Sequence, residues 1–141
     1  MKLGSLAASR PAYYDRNATN TWSWYAADNS PHAPTSRVSI TVAAGKKFMV
    51  DGAFVYIVVS TAQTVAGRNS LNIEVTDGTS YLPIARCENG GTSVVNQYFS
   101  GQGTLQTTVY AGQTIQGQSY MTGTGGTHYQ FLSIKGTTFD A

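Results

Sequence analysis

From Arg37 onward, apolar side chains recur at every second position in short runs separated by turn residues. Val38, Ile40 and Val42 alternate with polar neighbours, and Phe48 and Val50 resume the pattern after Gly45. A period of two places one row of side chains in a core and the other in water, so each run predicts a half-buried strand. Phe54 to Val59 is apolar at every position, which predicts a central strand covered on both faces, with Asp51-Gly52 before it as a bend or bulge. Leu71, Ile73 and Val75 run into Asp77-Gly78, and Leu82 and Ile84 follow around Pro83; this predicts a hairpin whose second strand lies at a sheet edge. Val94 to Phe99, the run Leu105, Thr107 and Val109, and Ile115 to Met121 are further strands. The glycine-rich turn at 122–127 precedes a last strand from His128 to Ile134, and no window carries a helical period.

Two of the connections use one phrase. Val42-Ala43-Ala44-Gly45-Lys46-Lys47-Phe48 is echoed by Val109-Tyr110-Ala111-Gly112-Gln113-Thr114-Ile115. In each, a strand meets a glycine corner, passes two polar residues and resumes with an apolar side chain. Gly45 and Gly112 are the structural turns, because glycine alone enters positive φ without steric cost. Short antiparallel strands with echoing corners predict an all-β, two-sheet jelly-roll sandwich over residues 37–141. An immunoglobulin-like sandwich is the second possibility. It would place a buried Trp and often a disulfide in the body, whereas both tryptophans here precede it.

Residues 1–36 read differently. They lack a sustained apolar period, contain Pro11, Pro31 and Pro34, and carry Tyr13, Tyr14, Trp22, Trp24 and Tyr25. Disordered segments are poor in aromatics, so this predicts an extended N-terminal arm docked on a surface. Arg10, Tyr13, Tyr14, Arg16, Trp22, Trp24 and Tyr25 are its docking residues, and the surface is either its own domain or a neighbour. Trp22-Ser23-Trp24 puts both indoles on one face when extended, which suits an edge strand or a strand added to another sheet.

Composition narrows the partners. A chain of 141 residues buries roughly 70% of its unfolded surface, enough for one self-sufficient core. Cys87 is the sole cysteine, which excludes an intrachain disulfide and cysteine-based zinc patterns and leaves inert packing as its role. The first eight residues are too weakly apolar for a signal peptide, and no run is long enough to span a bilayer as a helix, so synthesis in a cytoplasm is expected. The net charge of +2 with 11% charged residues gives no bias toward nucleic acid or an acidic membrane. No Asp, Glu, Lys or Arg lies between Glu88 and Lys135. An uncharged surface of this kind forms interfaces without desolvating full charges and solubilises a free monomer weakly, so the expectation is a protein that works assembled.

The phrases Arg10-Pro11-Ala12-Tyr13-Tyr14-Asp15-Arg16-Asn17 and Ser30-Pro31-His32-Ala33-Pro34, the corner at 42–47 and the ending Gly136-Thr137-Thr138-Phe139-Asp140-Ala141 together resemble those of small virion proteins of tailed bacteriophages. That group is similar to trimeric jelly rolls of the tumour-necrosis-factor type, used as head decoration or cement proteins and as fibre or tail tips. The resemblance implies a structural, multi-copy role in a virion, with the major capsid protein or another virion protein as partner, and carries no catalytic residues.

Catalytic chemistry finds no footing in the residues. There is no nucleophile-elbow pattern to set beside His32 or His128. The body's acids are Asp51, Glu74, Asp77 and Glu88: two precede a glycine as turn formers, and Glu74 falls on the polar side of an alternating strand. The two histidines have no ligand spacing, although a threefold axis could gather three copies of His128. Gly123-Thr124-Gly125-Gly126 lacks the Lys and the helix of a phosphate loop, and no cofactor is expected. Two functions remain. One is a homo-oligomeric capsid decoration protein, a trimer attached through its arm, with Tyr98, Phe99, Tyr129 and Phe131 as interface candidates. The alternative is a host-binding module at a fibre or tail tip, with Tyr81, Asn89, Gly90, Gly91 and Tyr120 as glycan contacts.

Overall fold

The structure, a computed structural model, describes residues 16–89, 95, 98–103 and 107–141. Within them are nine strands: β1 (Arg16–Asp28), β2 (His32–Thr41), β3 (Lys46–Thr61), β4 (Asn69–Thr76), β5 (Tyr81–Asn89), β6 (Tyr98–Gly103), β7 (Thr107–Tyr110), β8 (Thr114–Met121) and β9 (Thr127–Asp140). One sheet has the order β1-β9-β3-β6, with β7 continuing β6 along the same edge of β3, and the other has the order β2-β8-β4-β5. Every pairing is antiparallel, and successive strands cross repeatedly from one sheet to the other. This is a two-sheet jelly-roll sandwich.

Alternation explains the layers. Phe48, Val50, Val55 and Ile57 of β3 and Leu132 and Ile134 of β9 point inward from the first sheet; Leu71, Ile73 and Val75 of β4 and Ile115 of β8 meet them from the second. Each such side chain, fully buried, contributes about 1.5 to 3 kcal/mol of transfer free energy. The expected bend at Asp51-Gly52 is a bulge inside one long strand, where the pairing with β9 slips between Val50 and Gly52. Asp77-Gly78 closes the β4–β5 hairpin with Gly78 at φ 96°, and β5 is an edge strand that tolerates Pro83.

The repeated phrase has a physical counterpart. Its copies join β2 to β3 and β7 to β8, with Gly45 at φ 72° and Gly112 at φ 84°. The two corners touch: the Val42 amide donates to the Gln113 carbonyl at 3.0 Å, and the Gly112 amide to the Val42 carbonyl at 2.9 Å. Each crossing between sheets therefore supplies the hydrogen-bond partners that the other would lack.

The N-terminal boundary needs correction. Residues 16–36 are no arm: they form all of β1 and the first half of β2, so the expected division at 36/37 falls inside a strand. β1 pairs with β9 from Arg16↔Phe139 to Asp28↔His128 and is an edge of the first sheet. Its apolar side chains alternate only between Trp22 and Trp24, which is too short a run to register as a period. Arg10, Tyr13 and Tyr14 lie outside the described residues, and of Arg16 only the backbone is described.

Candidate functional site

β9 changes character halfway along. From Thr127 to Lys135 the pleat alternates without a break, so His128, Gln130, Leu132 and Ile134 face the interior while Tyr129, Phe131, Ser133 and Lys135 face outward. Past Phe131 this is ordinary, with aliphatic side chains inside and Ser and Lys outside. Before Leu132 it is reversed. His128 and Gln130 are fully buried, and the rings of Tyr129 and Phe131 are on the outer face.

Neighbouring strands complete the outer face. Tyr25 of β1 stacks on Tyr129 with centroids 6.0 Å apart and planes 5° from parallel. Tyr56 of β3 stacks on Phe131 at 5.1 Å and on Tyr98 of β6 at 5.3 Å, and Phe54 sits 6.4 Å from Phe131. Four adjacent strands thus share one aromatic surface. Tyr25 and Tyr98 at its two sides are 59% and 56% exposed, and Ser23, Ser100, Gln102 and Ser133 around it carry no charge. The clustering follows from register, since Tyr56↔Phe131 and Val58↔Tyr129 are directly opposed in the β3–β9 ladder.

The inner face at this end is polar. His128 is the register partner of Asp28, whose carboxylate is paired with His32 Nε2 at 2.5 Å across the turn between β1 and β2. Burial pushes the His128 imidazole below the ordinary histidine value, and the nearby Asp28 opposes that shift. Arg37 donates from Nε to Ser119 Oγ at 2.8 Å and lies over the Trp24 ring at 4.9 Å. Trp22 packs edge-on against buried Phe48 at 5.4 Å.

These positions redistribute the residues expected from sequence. Tyr98, Tyr129 and Phe131 share the outer face, joined by Tyr25, which had been assigned to arm docking, and by Phe54 and Tyr56, which sequence reasoning passed over. Phe99 does not belong with them: it alternates inward from Tyr98 and packs against the core. Trp22 and Trp24 do share a face, but it is the inward one, so their rings are engaged within their own domain. His128, fully buried between the sheets, does not reach a surface where symmetry could gather three copies. Among the described residues, no three of His, Cys, Asp and Glu assemble as a metal-binding group.

The acidic side chains serve local structure. Asp77 Oδ1 accepts from the Thr79 and Ser80 amides and the Thr79 hydroxyl, which holds its carboxyl down at about 2. Asp51 at the bulge accepts from the Thr137 hydroxyl at 2.7 Å, and Glu74 accepts from Gln116 Nε2 at 2.8 Å. Cys87 is buried and unpaired with another cysteine, and burial pushes its thiol up to about 12, so it is inert packing. Of the expected glycan contacts, Gly90 and Gly91 lie outside the described residues, Asn89 is buried, and Tyr81 and Tyr120 lie toward opposite ends of the second sheet. Tyr81 and Tyr110, both well exposed, line a cleft of about 220 Å³ together with Asp77, Ser80 and Gln113.

No family model matches the chain, and no curated protein does. Among solved structures the chain is similar to Eiger TNF from S. frugiperda, over 84% of this chain and 85% of that one, at 11% identity and a TM-score of 0.39.

Proposed function

We propose that this chain is a structural assembly protein that associates with copies of itself through the aromatic outer face of the β1-β9-β3-β6 sheet. The observation that carries this is the reversal on β9, where rings face outward while His128 and Gln130 occupy the interior. In an isolated subunit the opposite arrangement would be more stable, because exposed rings forfeit transfer free energy and buried polar groups incur desolvation. The reversal becomes favourable once another protein covers the outer face. A second copy is the fitting cover: the aromatic patch is bordered by the uncharged Ser23, Ser100, Gln102 and Ser133, so another subunit can bury it without desolvating full charges. Tyrosine hydroxyls at the rim can pair across the contact.

The resemblance of the turn and corner phrases extends the proposal to a setting: a trimeric capsid decoration or cement protein in the virion of a tailed phage, made in the host cytoplasm. Light scattering and native mass spectrometry of the purified protein test self-association. A closed oligomer is expected, and the Tyr56→Ser, Phe131→Ser double variant should be a folded monomer. A wild-type protein that stays monomeric at high concentration overturns the proposal. Deleting residues 2–15, which leaves β1 whole, tests attachment through the leader: loss of capsid binding with the oligomer intact is the expected result.

One observation favours the host-binding alternative. The cleft flanked by Tyr81 and Tyr110 combines exposed ring faces with hydroxyl, amide and carboxylate groups, a set that suits a sugar. Adsorption of the purified protein to host cells, lost in the Tyr81→Ala, Tyr110→Ala variant, would establish it; decoration of capsids by that same variant would favour the assembly reading.

A further inference from the structure

The interior behind the aromatic face holds polar atoms that no described residue satisfies. Both nitrogens of His128, both amide atoms of Gln130, both amide atoms of Asn69 and Nε2 of Gln63 are buried with no hydrogen-bond partner among the described residues. His128, Gln130 and Asn69 are each fully buried, and Gln63 is 6% exposed. Native proteins satisfy the large majority of buried side-chain polar atoms, so seven unmet at one end of one sandwich call for a partner.

The topology brings them to one layer. His128 and Gln130 are consecutive inward positions of β9, and Asn69 is the first inward residue of β4, opposite Met121 of β8. Gln63, in the connection between β3 and β4, closes the end. Its side chain occupies the space that a Cβ on Gly123 would fill, since that atom would fall 1.9 Å from Gln63 Nε2. Gln63 Oε1 accepts from the Gly67 amide at 3.2 Å, which leaves only its amide nitrogen unmet. On the outside, an open recess of about 520 Å³ walled by Pro31, His32, Pro34, Tyr120 and Met121 abuts this layer through Met121.

We propose that this polar layer is a binding site for a small uncharged guest that offers hydroxyl groups, namely ordered water or a small polyol. The unmet set mixes donors with acceptors, which suits hydroxyls, since each both donates and accepts. A charged guest has no counter-ion here: Asp28 is paired with His32, and the Arg37 guanidinium donates to Ser119 and covers Trp24. Burial also keeps His128 on the neutral side, with one nitrogen a donor and the other an acceptor. At about three hydrogen bonds per buried water, seven unmet atoms call for roughly two or three waters or one polyol of similar hydroxyl count. The site is independent of the oligomer, because all its ligands belong to one subunit.

The test is a crystal structure of the full chain at a resolution that shows ordered water, with mass spectrometry of a denatured extract of the same sample. Expected is density within hydrogen-bond distance of His128, Gln130 and Asn69 together; an extract free of organic guest identifies it as water, and a polyol mass identifies it as polyol. Gln130→Leu, which nearly conserves volume, should lose the density beside position 130 and keep the fold. Side chains that pair directly with one another or with backbone, with no density between them, overturn the proposal.

Discussion

Two halves of a single strand obey opposite rules. On β9, Leu132 and Ile134 face in and Ser133 and Lys135 face out, as water dictates for a half-buried strand. Two residues earlier, His128 and Gln130 face in and Tyr129 and Phe131 face out. The burial alternation is unbroken across both halves, so the difference lies in which side chains each face carries. The conventional half meets water outside and an aliphatic core inside; on the proposed reading the reversed half meets another subunit outside and a hydroxyl-bearing guest inside. A reversal of hydrophobic phase within an unbroken pleat is thus the feature from which the proposed association is argued.

The largest contrast should come from truncating inward positions of the conventional half. Leu132 is fully buried, and it fills the hollow left by Gly117 on the facing sheet, where an added Cβ would lie 2.8 Å from both Leu132 methyl carbons. Leu132→Ala should therefore cost about 2 to 5 kcal/mol in urea unfolding. The outward Phe131→Ser, one residue away, should leave the subunit's own stability within about 1 kcal/mol and act on association instead. Loss of a central aromatic anchor is expected to weaken the oligomer by about 2 to 4 kcal/mol, thirtyfold or more in dissociation constant, read by dilution in light scattering. If both variants lowered subunit stability equally, the distinction between the two halves would fail. An intermediate effect is expected from a charge: Ser100→Lys, beside Tyr56 in the β3–β6 ladder, should weaken association, while Lys135→Ser at the far end should change it little.

How far the fold was legible depends on how long each alternation ran. Strands around Val38 and Ile73 follow from three alternating apolar positions and that around Ile57 from a continuous apolar run, while the twin corners predict a sandwich because Gly45 and Gly112 each demand a turn. β1 was missed as part of the body because its inward residues are Trp22, Trp24, Ala26 and Asp28, a row that mixes large aromatics, a small side chain and an acid. Its partner is β9, whose paired residues lie 100 to 123 positions away in sequence, and no local period reports so distant a pairing. Part of the site was readable: Tyr129 and Phe131 stood at outward phase beside His128 and Gln130, and the switch of apolar phase at Phe131-Leu132 was visible in the sequence without a structure. Phe54 and Tyr56 are expected to be buried because Phe54 to Val59 is apolar on both faces; the strand is central in its sheet, but no strand among the described residues forms a second layer over its outer side. Phe99 was grouped with Tyr98 by type, and adjacency in a strand places neighbours on opposite faces. The unmet polar layer depends on which side chains meet across the sandwich, which sequence spacing does not encode.

The smallest expected effect concerns acidity, and it too separates the halves. Burial lowers the His128 imidazole below the ordinary histidine value of 6.5, and Asp28, itself held by His32, offsets only part of that. Below about pH 6.5 the unfolded chain takes up a proton that the folded chain refuses, so folding should lose stability as pH falls through that value toward the lower folded one. Above it, this residue contributes no pH dependence. The loss should be local before it is global, because the group that must be protonated lies in the reversed half. Hydrogen exchange at pH 5.5 against pH 7.5 should therefore show faster opening at residues 127–131 than at residues 132–135, after correction for intrinsic rates. His128→Leu should flatten this difference while leaving the conventional half unchanged. A uniform loss of protection along β9 would mean that the strand responds to acid as one unit, and the boundary at Phe131-Leu132 would then have no energetic meaning.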